Sequence, residues 1–251
     1  MICFPNCKIN LGLFITERRA DGYHTLESIF LPGPLTDVLE IIKRSDNECH
    51  ITQYQASFDI PKEKHSCFKA WKLLHEHHGI GGVDIFLMKC IPSGAGLGGG
   101  SSDAAFTLKC LNQLFELHLT EEKLIDYASS IGSDDAFFIY NRPCFLKGKG
   151  HELTPIDHWK FHFKVEISSP PVSISTAEAY SGILPKPAPF DLQQLDTLPL
   201  EDWKQVVTND FQAKAIQQHP IISEHIQAMY DKGAFYAAMS GSGSSVFGLF
   251  I

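Results

Sequence analysis

The sequence has no apolar run that approaches the roughly 18 residues of a membrane-spanning helix, so no membrane partner is expected. It has no excess of positive charge either. Lys and Arg number 21 against 29 Asp and Glu, for a formal net charge of −8 and a pI near 5.8. Without a basic stripe to offset phosphate repulsion, a nucleic-acid partner is not expected. The opening Met1-Ile2-Cys3-Phe4-Pro5 lacks the basic start and long apolar stretch of a secretory signal, which predicts a soluble, cytoplasmic chain. Paired metal-binding cysteines are missing too. Cys3, Cys7, Cys49, Cys67, Cys90, Cys110 and Cys144 form no CxxC motif, so reduced core thiols are expected. His75, His77 and His78 precede Gly79 and fit a helix C-terminus better than a metal site. No internal repeat is visible.

What the chain does have is enough apolar residue, 44% of 251, to bury one large core or two lobes. Ile9, Leu11, Leu13 and Ile15 alternate with Lys8 and Asn10, which predicts a half-buried strand over residues 8–15. The Asp21-Gly22 turn leads to a second strand over 23–31, and further strands are expected over 38–42, 49–54 and 83–91. Phe68, Trp71 and Leu74 have helical spacing, stopped by Gly79. Helices are also expected over 103–117, from the Thr120 cap through 130, and around 202–217 and 221–230. A strand over 161–167 and two short strands around residues 240–244 complete the reading. This order suits an α+β fold, with two lobes dividing near residue 155: 1–155 and 156–251.

The segment Pro92-Ser93-Gly94-Ala95-Gly96-Leu97-Gly98-Gly99-Gly100-Ser101-Ser102 is the strongest chemical signal. Glycine turns backbone amides toward a ligand with no Cβ in the way, and a following helix adds unpaired N–H groups and a positive dipole end. That combination cradles phosphate. A Walker A loop is excluded because Gly100 is followed by Ser101 and not lysine. Gly94-x-Gly96-x-x-Gly99 satisfies the dinucleotide pattern, yet Pro92 and the alternating strand before it fit that fold poorly. A plain glycine linker stays open as an alternative.

The loop resembles the second motif of the GHMP kinases, Pro-x-x-x-Gly-Leu-Gly followed by Ser and Ala. The form Gly96-Leu97-Gly98-Gly99-Gly100-Ser101-Ser102-Asp103-Ala104-Ala105 narrows the likeness to the branch acting on a diphosphocytidyl methylerythritol. Other blocks agree in order: Pro5-Asn6-Cys7-Lys8-Ile9-Asn10-Leu11, Arg19-Ala20-Asp21-Gly22-Tyr23-His24, Ile131-Gly132-Ser133-Asp134, Ser175-Thr176-Ala177-Glu178-Ala179-Tyr180, Asn209-Asp210-Phe211 and Met239-Ser240-Gly241-Ser242-Gly243-Ser244. The resemblance implies a two-lobed fold, with an N-terminal lobe like the second domain of ribosomal protein S5 and a ferredoxin-like C-terminal lobe. It implies transfer of the ATP γ-phosphoryl group, with Mg²⁺, to the 2-hydroxyl of a small cytidine diphosphate substrate in non-mevalonate isoprenoid synthesis. Another GHMP small-molecule kinase, or a nonenzymatic ligand sensor on the same fold, remains the alternative.

By the same resemblance, Asp134 is the base facing the acceptor hydroxyl and Lys8 its close partner; plainer roles are a turn residue and an outward lysine. Tyr23 and His24 match the cytidine-binding pair, Tyr180 the opposing aromatic, and Asn10 and Thr176 join the substrate side. Gly241, Ser242 and Gly243 would offer amides to the substrate diphosphate. Lys89 matches a lysine on the nucleotide side, along with the loop from Pro92 to Ser102; its plain alternative is a solvent-facing strand end. Ser101, Ser102 or Asp103 would hold the metal, because a bare carboxylate facing phosphates repels them unless a cation intervenes.

Three departures stand out. Lys64-His65-Ser66 replaces the family's acidic-Asn-Leu stretch near adenine. Asp134 is followed by Asp135, expected to point away, and by Ala136 where many relatives have proline. The chain ends soon after residue 244, where many relatives continue with another helix and strand, which leaves open a naturally short second lobe or an incomplete sequence.

Overall fold

The computed structural model describes residues 1–55 and 60–251. A two-residue strand β1 (Ile2–Cys3) precedes two long strands, β2 (Asn6–Arg18) and β3 (His24–Thr36), then β4 (Val38–Lys43) and β5 (Cys49–Tyr54). Helix α1 (Ser66–His78), strand β6 (Val83–Met88) and helices α2 (Gly99–Leu114), α3 (Glu121–Ile131) and α4 (Asp135–Tyr140) come next. The remainder comprises β7 (Cys144–Lys147), β8 (Glu152–Pro155), β9 (Lys164–Ser168), α5 (Thr176–Tyr180), α6 (Trp203–Val206), α7 (Gln212–Gln218), α8 (Ile221–Asp231), β10 (Tyr236–Met239) and β11 (Val246–Phe250).

The chain forms two compact units whose segments alternate along the sequence. The first gathers Met1–Cys7, Leu35–Ile91 and Gly98–Asn141; the second gathers Lys8–Pro34, Pro92–Leu97 and Arg142–Ile251. In the first unit the sheet order is β1-β4-β6-β5, with β5 and β6 parallel and the other pairs antiparallel. Ile41, Ile85, Leu39 and Leu87 are buried on that sheet and Leu74, Leu108 and Leu111 on α1 and α2, so sheet and helices each contribute an apolar face. Gly79 ends α1 in the left-handed conformation (φ 66°), as its position after the last periodic residue predicts.

The second unit holds two sheets, β2-β3-β7-β8 and β10-β11-β9. Strand β2 is buried on both faces, including Lys8 and Asn10, so the half-exposed strand expected from alternation is corrected. Its open edge is covered by other segments: Leu97 O accepts from Lys8 N, Leu13 N bonds Thr208 O, and Lys186 N bonds Ile15 O. The same pairing explains why the helix expected around 202–217 is split. Residues 208–210 run beside Leu13 as a short bridge, leaving α6 and α7 on either side. The strand expected over 161–167 begins later, at Lys164. The preceding Trp159, Phe161 and Phe163 pack with one another, and Phe161 and Phe163 pack edge-on against Trp203.

The cysteines are free. Most are buried, but Cys90 is exposed, which corrects the expectation of uniformly core thiols. His75 bonds the Ile80 carbonyl and His78 the Tyr127 hydroxyl. No group of three or more metal-ligating side chains occurs among the described residues. No helix there is long and apolar enough to cross a membrane.

Candidate active site

The glycine segment leaves its two kinds of backbone group in opposite states. Its carbonyls are bound: Ala95 O accepts from Ser245 N at 3.2 Å, Gly96 O from Ser240 Oγ at 3.1 Å, and Leu97 O from Lys8 N at 2.9 Å. Gly98 O takes the Ser102 amide at 2.9 Å. Its amides, from Ser93 to Ser101, donate to no acceptor among the described residues. The left-handed φ at Gly94 (66°), Gly96 (77°) and Gly98 (71°) alternates along the chain, the pattern that gathers successive N–H groups into an anion-binding concavity. Gly98 then caps α2 without a side-chain bond, so the helix N-terminus is open as well. Gly96 must lack a side chain, since a Cβ there would lie 2.1 Å from Ser240 O.

In the second unit Lys8 is buried, so the outward-lysine alternative is overturned. Its ammonium donates to Asn10 Oδ1 at 2.5 Å and lies 4.5 Å from the Phe30 ring centre. Asn10 in turn donates to Ser28 Oγ (3.0 Å), and its backbone amide to Ser240 Oγ (3.2 Å). Lys8, Asn10, the 95–97 stretch and Ser240 to Gly243 are thereby brought together from distant parts of the chain. His24 stacks on Tyr180, ring centres 5.2 Å apart, and Tyr180 meets Phe211 edge-on at 4.8 Å. Tyr23 is 63% exposed, with Lys149 Nζ 4.8 Å from its ring and 2.7 Å from Asp21. Lys149 carries no mark in the sequence, because nothing local links the 148–151 turn to Tyr23. Thr176 begins α5 behind the Ser175 cap and is exposed.

In the first unit Asp134 stands at the N-cap of α4, half-exposed, with Ser133 Oγ 3.4 Å from its Oδ1. Asp135, expected to point away from the Asp134 pocket, is buried with the Ser101 hydroxyl at its carboxyl. Burial, with the Asp134 charge added, pushes its carboxyl up to about 7 against the pull of the Ser101 hydroxyl and Lys69. Lys89 is not solvent-facing: its side chain is 9% exposed and pairs with Asp37 and, at 2.7 Å, with Asp103. Burial disfavours its charge, but Asp103 and Asp37 more than offset this and hold the ammonium above its ordinary pKa. Asp37, the residue between β3 and β4, escaped the sequence reading. Its one hint there is a lone carboxylate between two apolar strands.

The expectation that only a metal makes an inward Asp103 useful is corrected, because Lys89 is its counter-ion. Ser102 Oγ and Asp103 Oδ1 are buried oxygens without a hydrogen-bond partner, and hard oxygens are the donors that Mg²⁺ takes, so the residues fit that ion. At Lys64-His65-Ser66, His65 caps α1: its Nδ1 accepts the Cys67 amide and its Nε2 bonds Gln53, leaving the ring committed to the fold.

Comparison with known proteins agrees with this geometry. The family model for the GHMP kinases N terminal domain matches residues 65–142, and that for GHMP kinases C terminal matches residues 192–251. The chain is 48% identical, over its full length and 92% of the relative, to the 4-diphosphocytidyl-2-C-methyl-D-erythritol kinase of Bacteroides fragilis. A crystal structure of 4-(cytidine 5'-diphospho)-2C-methyl-D-erythritol kinase superposes with a TM-score of 0.81 at 31% identity, covering 99% of this chain and 90% of the other. A mevalonate kinase at 16% identity, TM-score 0.69, covering 100% of this chain and 91% of the other, shares the fold. The chain belongs to the GHMP kinases, within their 4-diphosphocytidyl-2-C-methyl-D-erythritol kinase family.

Proposed function

We propose that the chain transfers the γ-phosphoryl group of ATP to the 2-hydroxyl of 4-diphosphocytidyl-2-C-methyl-D-erythritol, a step of non-mevalonate isoprenoid synthesis, in the cytoplasm. The observation that carries this reading is the run of open amides from Ser93 to Ser101 ahead of α2. In the mechanism, the acceptor oxygen bonds to the γ-phosphorus as the bond to the ADP oxygen breaks, and the hydroxyl proton passes to Asp134. Phosphoryl transfer has a loose transition state, so positioning and charge stabilisation do most of the catalysis. Lys8 holds positive charge at the acceptor, steered by Asn10. The loop from Pro92 to Ser102, with Lys89 at its base, receives the triphosphate. Mg²⁺ arriving with ATP would be held by Ser102 and would neutralise phosphate charge there.

Tyr23, His24 and Tyr180 receive the cytosine ring, with Thr176 beside them, and Gly241, Ser242 and Gly243 face the substrate diphosphate. His24 already rests on Tyr180, which supports an aromatic platform for a flat base. In functional terms the lobes are 1–155, binding ATP and substrate, and 156–251, the C-terminal GHMP lobe. The test is coupled ATP turnover with three acceptors. Only the cytidine substrate is expected to support it, and turnover with mevalonate or homoserine instead would sink the assignment.

A further inference from the structure

Lys89 follows β6 and Asp103 lies in the first turns of α2, so the two bracket the segment that carries the open amides. Their side chains meet at 2.7 Å. Asp37 completes the group. One of its oxygens bonds the Lys89 ammonium, and the other accepts the amides of Cys90 (2.5 Å) and Ile91 (2.8 Å), the first two residues after that lysine. The side chains of Lys89, Asp37 and Asp103 are 9%, 0% and 3% exposed. Gly99 makes the approach possible, because a Cβ there would lie 3.0 Å from Ile91 Cγ2 and 3.3 Å from Lys89 Nζ. The ammonium therefore stands against the positive end of α2, an unfavourable place that only adjacent carboxylates offset. The ammonium is enclosed, with 9% of the side chain exposed and both neighbouring carboxylates within ion-pair distance.

We infer that Lys89, Asp37 and Asp103 form a clasp fixing both ends of the phosphate-cradling loop, so that Lys89 acts on the nucleotide through the loop and Asp37 is a positioning residue. This rests on reading the loop as the ATP site. The clasp closes a loop of flexible glycines, and holding its ends lowers the ordering cost that ATP binding would otherwise carry.

A double-mutant cycle decides it, with Lys89→Met, Asp103→Leu, the double variant, and Asp37→Asn alongside. The double variant removes the Lys89–Asp103 pair and leaves the Asp37 carboxylate held by the Cys90 and Ile91 amides, so its folding is verified by circular dichroism before kinetics. Each single change is expected to raise KM for ATP about tenfold, with KM for the cytidine substrate within twofold of wild type. The double variant should cost no more than either single, because the interaction is already lost. Asp37→Asn, which keeps an oxygen for the two amides, should raise KM for ATP about threefold. Hydrogen exchange without nucleotide should quicken at the Ile91 and Ser102 amides in the Lys89 and Asp103 variants. If Lys89→Met exacts its full penalty again in the Asp103→Leu background, or if KM rises while those two amides exchange as in wild type, the lysine touches phosphate and the clasp is wrong. Should Lys89→Met fail to fold, exchange in the double variant still gives the answer. A wild-type protein that neither binds nor turns over ATP would end the kinase reading, yet the exchange result would stand independently.

Discussion

In the segment 92–102 the carbonyls of Ala95 to Gly98 are tied down and the amides from Ser93 to Ser101 are open; in the segment 240–244 amides and carbonyls are both engaged, with Gly241 O taken by the Asn209 side chain. Ser240 N bonds Ser245 O and Gly243 N bonds Ser240 O, while the hydroxyls of Ser240 and Ser244 are engaged with Gly96 O and Val172 O. Ser242 is the half-exposed member of an otherwise buried run. Both segments are glycine and serine with alternating left-handed φ, yet one presents donors and the other braces it. The difference lies in the next element of the chain, α2 after the first segment and β11 after the second. A helix leaves its first amides unpaired, whereas a strand pairs them.

The largest effect bears on the chemistry that the open segment serves. Asp134→Asn should lower kcat by about a hundredfold to ten-thousandfold, the scale of a general base, with KM values little changed in coupled ATP turnover. Within the loop, the braced and open positions should separate sharply. Gly96→Ala forces a Cβ onto Ser240 O at a left-handed φ and should cost about 1–3 kcal/mol in urea unfolding. Gly100→Ala meets nothing within 4 Å and should be neutral or stabilising by up to about 1 kcal/mol. Across the second segment, Ser240→Ala removes bonds to Asn10 and Gly96 and should cost about 1–2 kcal/mol. Ser242→Ala keeps its main-chain amide and should leave both stability and KM for the cytidine substrate unchanged, and equal destabilisation by both would erase the contrast.

The remaining effect is a pH dependence. Asp135 titrates near 7 when folded, above its unfolded value of 3.8, so the folded state holds the proton more tightly. Stability from this group is therefore full below pH 4 and declines as pH rises toward 7, by at most on the order of 1 kcal/mol per unit. Thermal unfolding of Asp135→Asn should show a flatter pH profile than wild type between pH 5 and 7.

Much of this was legible in the letters. The strand over 49–54, the stop at Gly79 and the start at the Thr120 cap come from local pattern, because alternation, capping and left-handed glycine act within a few residues. The hairpin of β7 and β8 and the short α4 were not, since β7 gains its register by pairing with β3, more than a hundred residues earlier. The site divides the same way. The glycine loop announces itself locally, but Asp37 owes its role to partners about fifty residues away, and a lone carboxylate carries no mark of them.

One bond carries a practical consequence. The peptide nitrogen of Lys8, not its side chain, supports the loop at Leu97. Replacing the lysine therefore removes its charge while leaving the main-chain prop in place; on the proposed reading such a variant should lose turnover and keep ATP binding, so that nucleotide loading is observed apart from turnover.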